Sequence, residues 1–315
     1  MAPAGYFDDD SLLRHVVGDR MTGLSGPRAL LVMAAHPVAF AGFFAHTGAL
    51  ADPYARLRRT ARVMDAVAFG TRAQADEATK RVRAIHRRVR GELQADAGRF
   101  PAGTPYRADD PELLLWILAA LAESALLVYR KYVRSLSRDE EDALWRDYRL
   151  VGRKFGLRAR EMPRDIEAFE AYMAGMYASG DLYVTDEARA LAVEIVLRPP
   201  VPPHLRPLRE LVNQTTVGLL PPELRRAYGF GWDPLRAVAL HGGAEYLKRV
   251  VVPLLPARMR RLPVARAAKA RPPRFGSPHR RGGPVRTPAG GISRVWTGPR
   301  GPTVGTCSSP SRPPG

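Results

Sequence analysis

The stretch that opens at Pro111 leaves this chain few architectures to choose from. From Leu113 to Val128 apolar residues fall on nearly every side of a helix, with Glu123 the only charge. A helix with no polar face belongs at the centre of a bundle. It is too short, and too interrupted by Glu123, to read as a membrane span, and the other apolar stretch, 29–51, is broken by His36-Pro37 and His46. Both are expected to be buried helices.

From Asp8 to about Pro256 apolar residues recur at steps of three and four, with no sustained alternation of period two, so the fold class is all-α. Helices are expected near 28–49, 53–69, 72–90, 137–155, 164–178 and 233–253, packed around the one that starts at Pro111. Several starts are marked by their caps. Asp52-Pro53, Asp109-Asp110-Pro111-Glu112 and Thr185-Asp186-Glu187 each place a capping side chain before the first turn, and Ser137 with Glu140 forms a capping box.

The formal charge of +18 suggests a basic partner surface until its distribution is read. Thirteen of the 49 basic residues fall from Arg258 onward, where no acid occurs, leaving 36 basic against 31 acidic residues and a net of +5 for the rest. That balance gives no support to a specific nucleic-acid groove. The Arg/Pro/Gly-rich tail, as in Arg280-Arg281-Gly282-Gly283-Pro284, cannot bury enough surface to offset ordering entropy, so 257–315 is expected to be disordered. The expected division is a lead-in at 1–25, one helical domain at 26–256, and the tail. The single Cys307 allows no internal disulfide and suits a reducing, cytoplasmic compartment, and the acidic N-terminus does not read as an export signal.

Two neighbouring stretches carry the candidate chemistry: Arg56-Leu57-Arg58-Arg59-Thr60, and Arg83-Ala84-Ile85-His86-Arg87-Arg88-Val89-Arg90-Gly91. At 100° per residue, Ala78, Val82, Ile85 and Val89 form a stripe with His86 at its edge. On the preceding helix Arg56, Thr60, Val63 and Val67 share a face, with Arg59 beside it. A His and an Arg/Thr pair so placed can grip a planar iron cofactor from two sides. Two readings stay open at this point. His86 is a hydrogen-bonded core histidine or an iron ligand, and Arg56 finds its anion in Glu123, in a helix C-terminus, or in a cofactor carboxylate. His36, His46 and His241 are alternates to His86. No His-Glu-x-x-His, Glu-x-x-His, phosphate-binding glycine loop or nucleophile elbow occurs, so zinc protease, di-iron, nucleotide and serine-hydrolase chemistry have no motif here.

Taken in order, Gly26-Pro27-Arg28, His36-Pro37-Val38-Ala39, His46-Thr47, Asp52-Pro53, Arg56-Leu57-Arg58-Arg59-Thr60, Phe69-Gly70, Ile85-His86-Arg87-Arg88-Val89-Arg90-Gly91, the run from Tyr106 to Trp116, Phe155-Gly156 and Met162-Pro163 resemble the MpaB-type and rubber oxygenase catalytic domain. The resemblance implies a globin-like helical core holding haem b, with His86 as the proximal iron ligand and Arg56 and Thr60 lining the haem pocket. Arg59 occupies the position of a lysine that approaches iron in some latex-clearing proteins, and a guanidinium does not give up its proton to ligate. The chain departs from the family pattern at Leu118, where many members carry His, and at Ala45, where many carry Glu. The implied function is a haem b dependent oxygenase acting on an apolar substrate with dioxygen and an electron donor. The alternatives are a non-catalytic haem or apolar-ligand binding protein, and an adaptor whose basic tail touches membrane or nucleic acid.

Overall fold

The computed structural model describes residues 5–45 and 53–270, those from 53 to 56 in backbone only. It is an all-α bundle with one small two-stranded sheet. In chain order the leading helices are α1 (Leu12–Val17), α2 (Ser25–Ala34), α3 (Pro37–Ala45), α4 (Pro53–Phe69) and α5 (Arg72–His86). The antiparallel strands β1 (Arg90–Glu92) and β2 (Pro105–Arg107) follow. Then come the long α6 (Pro111–Tyr132), α7 (Arg138–Phe155), α8 (Ile166–Ala178) and α9 (Asp186–Leu191), the last continuing as a wide π turn to Leu197. The chain closes with α10 (Arg206–Gly218), α11 (Pro222–Ala227), α12 (Pro234–Tyr246), α13 (Val252–Leu254), α14 (Ala257–Arg260) and α15 (Pro263–Lys269).

α6 is the centre, as its composition requires. Trp116, Ala119, Ala120, Ser124 and Val128 are wholly buried, and α1, α2, α3, α7 and α12 pack around it. Its start is set by Asp110, whose carboxylate accepts from the Glu112 amide at 2.8 Å ahead of Pro111. α7 begins in a reciprocal box, with Ser137 Oγ accepting from the Glu140 amide (3.2 Å) and the Glu140 carboxylate accepting from the Ser137 amide (2.9 Å). It ends at Gly156, whose φ of 113° is left-handed. Thr185 caps α9 as expected.

The predicted helix at 28–49 is two helices in the structure. α2 and α3 meet at His36-Pro37 with a bend of 103° between the segments, because Pro37 supplies no amide and pushes His36 out of helical conformation. Carbonyls in the last turn of α2 accept from other elements, those of Leu31 and Met33 in addition to the Ala35 and His36 amides. Trp116 Nε1 donates to Met33 (3.3 Å), the Tyr228 hydroxyl to Leu31 (2.7 Å), and the Tyr183 amide to Ala35 (2.7 Å).

Three boundaries differ from the sequence reading. The expected lead-in contributes Leu13 and Val16 to the core, since α1 lies on α6 and α7. Structure also continues past 256. The Arg260 guanidinium pairs with buried Asp19 (3.3 Å), the Leu262 amide donates to Gly18 (2.8 Å), and α15 packs on α4. Finally, α5 stops at His86 rather than at 90, where the chain enters β1. Three-residue strands are too short to show a period of two, so this hairpin had no signature. The remaining tail, 271–315, lies outside the described residues.

Glu123, the carboxylate in the middle of α6, is satisfied internally. Arg28 on α2, only 1% exposed, donates to Glu123 (2.9 Å), to Ser124 Oγ (2.6 Å) and to the Leu219 carbonyl (2.8 Å). The Tyr177 hydroxyl on α8 donates to the same Glu123 oxygen (2.6 Å). Arg28→Met strands that carboxylate and is expected to cost about 3 kcal/mol in denaturant unfolding. In the double variant Arg28→Met/Glu123→Gln the loss falls short of the sum of the singles, the coupling being about 1 kcal/mol or more.

Candidate functional site

α4 and α5 form a helical hairpin joined by Gly70 and Thr71, with Thr71 and Gln74 making a reciprocal cap at the start of α5. At 1.5 Å per residue, Arg56 and His86 both lie about 20 Å from that turn, and Thr60 about 14 Å from it. The two sequence stretches therefore sit level with each other at the open end of the hairpin. The Arg56 side chain itself lies outside the described residues, as do His46 and 47–52.

The inward stripe of α5 is not the one expected. Ala75 and Thr79 are fully buried and Val82 and His86 continue their line at steps of three and four, while Ile85 is 58% exposed. The predicted stripe through Ile85 is thus corrected by about one residue's rotation. The reason is tertiary. The Arg83 guanidinium, one position from Val82, bonds to the Lys154 carbonyl at the C-terminus of α7, and this contact fixes which face of α5 turns inward. His86 consequently lies on the inner line rather than at its edge. It is half-buried, with Nδ1 shielded from solvent.

On α4 burial rises toward the turn. Val67, Ala68 and Phe69 are buried, Val63 is intermediate, and Thr60, Arg59 and Leu57 are exposed. Thr60 and Arg59 therefore border an open edge rather than line an enclosed cavity. Glu123, one of the anions weighed for Arg56, is engaged by Arg28 and Tyr177 instead. Two concavities among the described residues, about 260 and 280 Å³, lie between α6 and α8 and beside α10, away from the hairpin.

Beyond His86 the chain turns through Arg87 and Arg88, and Val89 then presses on α3. A Cβ on Gly42 would come within 2.6 Å of Val89 Cγ1, and one on Gly91 within 2.7 Å of the Tyr106 hydroxyl oxygen. These close approaches need glycine on both sides of the Tyr106 ring. α3 also brings Phe40, Phe43 and Phe44 together, with ring centroids 4.4 to 5.4 Å apart. The half-buried imidazole is thus followed at once by a turn that docks on a helix rich in aromatic side chains.

The other histidines separate cleanly. His36 is buried in the α2–α3 bend, stacked on Phe100 at 5.6 Å and tilted against Trp116 at 6.3 Å. Burial pushes its pKa down to about 4, with Asp181 opposing weakly. His241 is exposed on α12. Leu118, in place of the family's His, packs against Gly152 of α7, where an added Cβ would lie 2.7 Å from its Cδ2. Ala45 is exposed at the end of α3. One titratable group went unnoticed in the sequence: Asp65 on α4, half-buried, its carboxyl pKa raised by burial. It stands about 140° around α4 from Thr60 and so faces away from the candidate site.

The model of the family described as ER-bound oxygenase mpaB/B′/rubber oxygenase, catalytic domain, matches residues 14–249. The chain belongs to the MpaB/rubber oxygenase catalytic-domain family. The match starts in α1 and runs through α12, so the helical lead-in is part of the family's domain. No curated protein and no solved structure matches the chain. In this MpaB/rubber oxygenase family member, as in the sequence pattern, His86 and the Arg56–Thr60 stretch fall inside the matched region.

His36 offers a direct check on this sorting of histidines. A folded-state pKa below the unfolded value favours the neutral ring, so its contribution to stability is present above about pH 6.5 and is lost as pH falls toward 4. By NMR the His36 ring resonances should stay at neutral-form shifts from pH 8 to 5.5. A midpoint near 6.5 would contradict the burial described.

Proposed function

We propose that this protein is a haem b dependent oxygenase that acts on an apolar substrate, with His86 as the iron ligand. The single observation that carries this is the placement of His86 on the inner line of α5, level with Arg56 at the open end of the hairpin. The residues present suit the group. A porphyrin brings four of the iron's ligands itself and asks one imidazole of the protein, so a cluster of three ligating side chains, which the described residues do not form, is not required. Arg56 and Arg59 would pair with the carboxylates of such a cofactor, as guanidinium groups do. When bound, the haem supplies the redox chemistry toward dioxygen, and the chain supplies access, polarity and ligand strength.

The chain's own contributions are separable. His86 offers a lone pair from a ring whose position the Arg83–Lys154 contact fixes by setting the turn of α5. Thr60 sets an exposed hydroxyl on the neighbouring α4, which would donate or accept a hydrogen bond beside the bound group. Phe40, Phe43 and Phe44 gather on α3, the helix on which the turn after His86 docks, and an apolar neighbourhood of this kind would favour an apolar substrate over a polar one. An electron donor and dioxygen are the partners this chemistry needs. The proposed compartment is the cytoplasm, supported by the lone Cys307.

A second reading, a haem or apolar-ligand carrier without turnover, is favoured by the exposed Ala45 and the packed Leu118 standing where other members carry Glu and His. The purified protein, reconstituted with haem, should show a Soret band that His86→Ala abolishes or shifts. A colourless reconstituted wild type, or a spectrum unchanged in the variant, overturns the cofactor assignment. Dioxygen consumption with isoprenoid or lipid test substrates, lowered by roughly tenfold or more in Thr60→Val, separates enzyme from carrier.

A further inference from the structure

The network that holds α2 and α8 on α6 uses only one oxygen of Glu123. Arg28 and the Tyr177 hydroxyl both donate to Oε2, at 2.9 and 2.6 Å, and Oε1 receives no donor among the described residues. The other arms of Arg28 go to Ser124 and to the Leu219 carbonyl. Nor is the carboxylate sealed in. Its side chain keeps 17% of its surface and lines the cleft of about 260 Å³ between α6 and α8. An ionised oxygen in apolar surroundings is the acceptor for which a further donor counts most.

The cleft suits a narrow class of occupant. Glu123 meets Tyr177 at one end, and Arg130 stands near Glu170 at the other, about 10 Å further along α6. Between these ends the lining is Leu126, Leu127, Phe169, Met173 and Ala174. Phe169 is held in place by its stack on Trp145, with centroids 4.3 Å apart, and Ala174, the smallest of the lining side chains, is exposed on α8. Each charge in the lining already has its counter-ion. Glu123 pairs with Arg28, Arg130 with buried Glu141 (3.0 Å), and Glu170 with Arg138 (2.8 Å). A carboxylate entering here would be repelled by Glu123, and an ammonium would bring a charge that no counter-ion remains to meet. The volume equals that of roughly nine waters, room for one ring but not for a lipid chain or a peptide. Water itself fits the cleft poorly, since apolar walls give it few of the polar partners it needs.

We propose that the α6–α8 cleft is a binding site for a small uncharged alcohol or phenol, its apolar body against Leu126, Phe169 and Met173 and its hydroxyl donating to Glu123 Oε1. The site lies away from the α4–α5 hairpin, and the inference does not rest on the haem reading.

The test is a titration of the full-length protein, labelled with ¹³C at its methionine methyl groups, in which Met173→Leu identifies the Met173 resonance. Phenol should shift that resonance to saturation. Toluene, the same ring without a donor, should bind roughly tenfold or more weakly, because it leaves Oε1 unmet. Benzoate should leave the resonance in place. Ala174→Trp, at an exposed position, should abolish the phenol response while leaving the circular dichroism melt unchanged, and Leu127→Phe does the same from the α6 side should the first variant fold poorly. Equal binding of toluene and phenol, or of benzoate and phenol, would show that the carboxylate is not read and would overturn the proposal. A resonance that none of the three moves would leave the cleft to water and overturn it as well. So would a phenol response that survives in the folded cleft-filling variant.

Discussion

A helix as apolar as α6 can sit in the middle of a protein only if the carboxylate at its middle, Glu123, is supplied with donors there, and the arrangement of α2 and α8 follows from that need. An ionised Glu123 left bare in the core would cost several kcal/mol. Arg28 from one side and the Tyr177 hydroxyl from the other remove that cost and fix where both helices lie on α6. Arg28 also reaches the Leu219 carbonyl at the end of α10, so the C-terminal helices are tied to the same point. Once α2 is placed, the bend at His36-Pro37 sends α3 away at a steep angle, and α3 becomes the wall on which the turn after His86 docks. The candidate site is thus positioned by an ion pair that takes no part in it.

What the sequence disclosed and what it withheld divide along the range of the forces involved. Caps are local. Asp110, Ser137 and Thr185 act within one turn, so the helix starts they mark are found where expected. The central position of α6 was legible because a helix without a polar face has nowhere else to go. The rotation of α5 was not. Val82, Ile85, Val89 and Val82, His86, Val89 are both acceptable stripes at helical spacing, and the choice between them is made by Arg83 reaching the end of α7, seventy-one residues away. The anion for a buried arginine was anticipated in kind, but its partner proved to be Arg28 on α2 rather than Arg56 on α4, since Arg28 looks in sequence like an ordinary residue at a helix start.

The same division explains α12. A run such as Leu-Arg-Ala-Val-Ala-Leu-His-Gly-Gly-Ala reads as a buried segment because apolar residues occupy most of its faces. Composition reports that such a helix needs cover on several sides, but not which sides the fold itself provides. α6 and α10 cover one line, and the other is left to solvent in the isolated chain. The overall charge was similarly uninformative until it was resolved along the chain. Setting the tail aside made the remainder look balanced, when in fact its small excess is gathered on the C-terminal helices.

The two proposals rest on the same core at different edges. Oε2 of Glu123 is taken by Arg28 and Tyr177 and fixes the helices, which leaves Oε1 for an occupant of the cleft. A shared anchor does not by itself couple the two places. A ligand shifts an equilibrium only by the difference in its affinity for two arrangements. A molecule held at Oε1 leaves the Oε2 bonds as they are, so it has no second position of α2 to favour and no route through the bend to α3. The converse also holds: a chain that carried no haem would still need its Arg28–Glu123 centre, its bend and its α4–α5 hairpin, because these belong to the packing of α6 and not to the chemistry at its edge. Loss of the chromophore and loss of binding in the cleft therefore report on different residues, His86 in the first case and Ala174 in the second, and a change that abolishes both points to the buried ion pair that holds their helices on the same core.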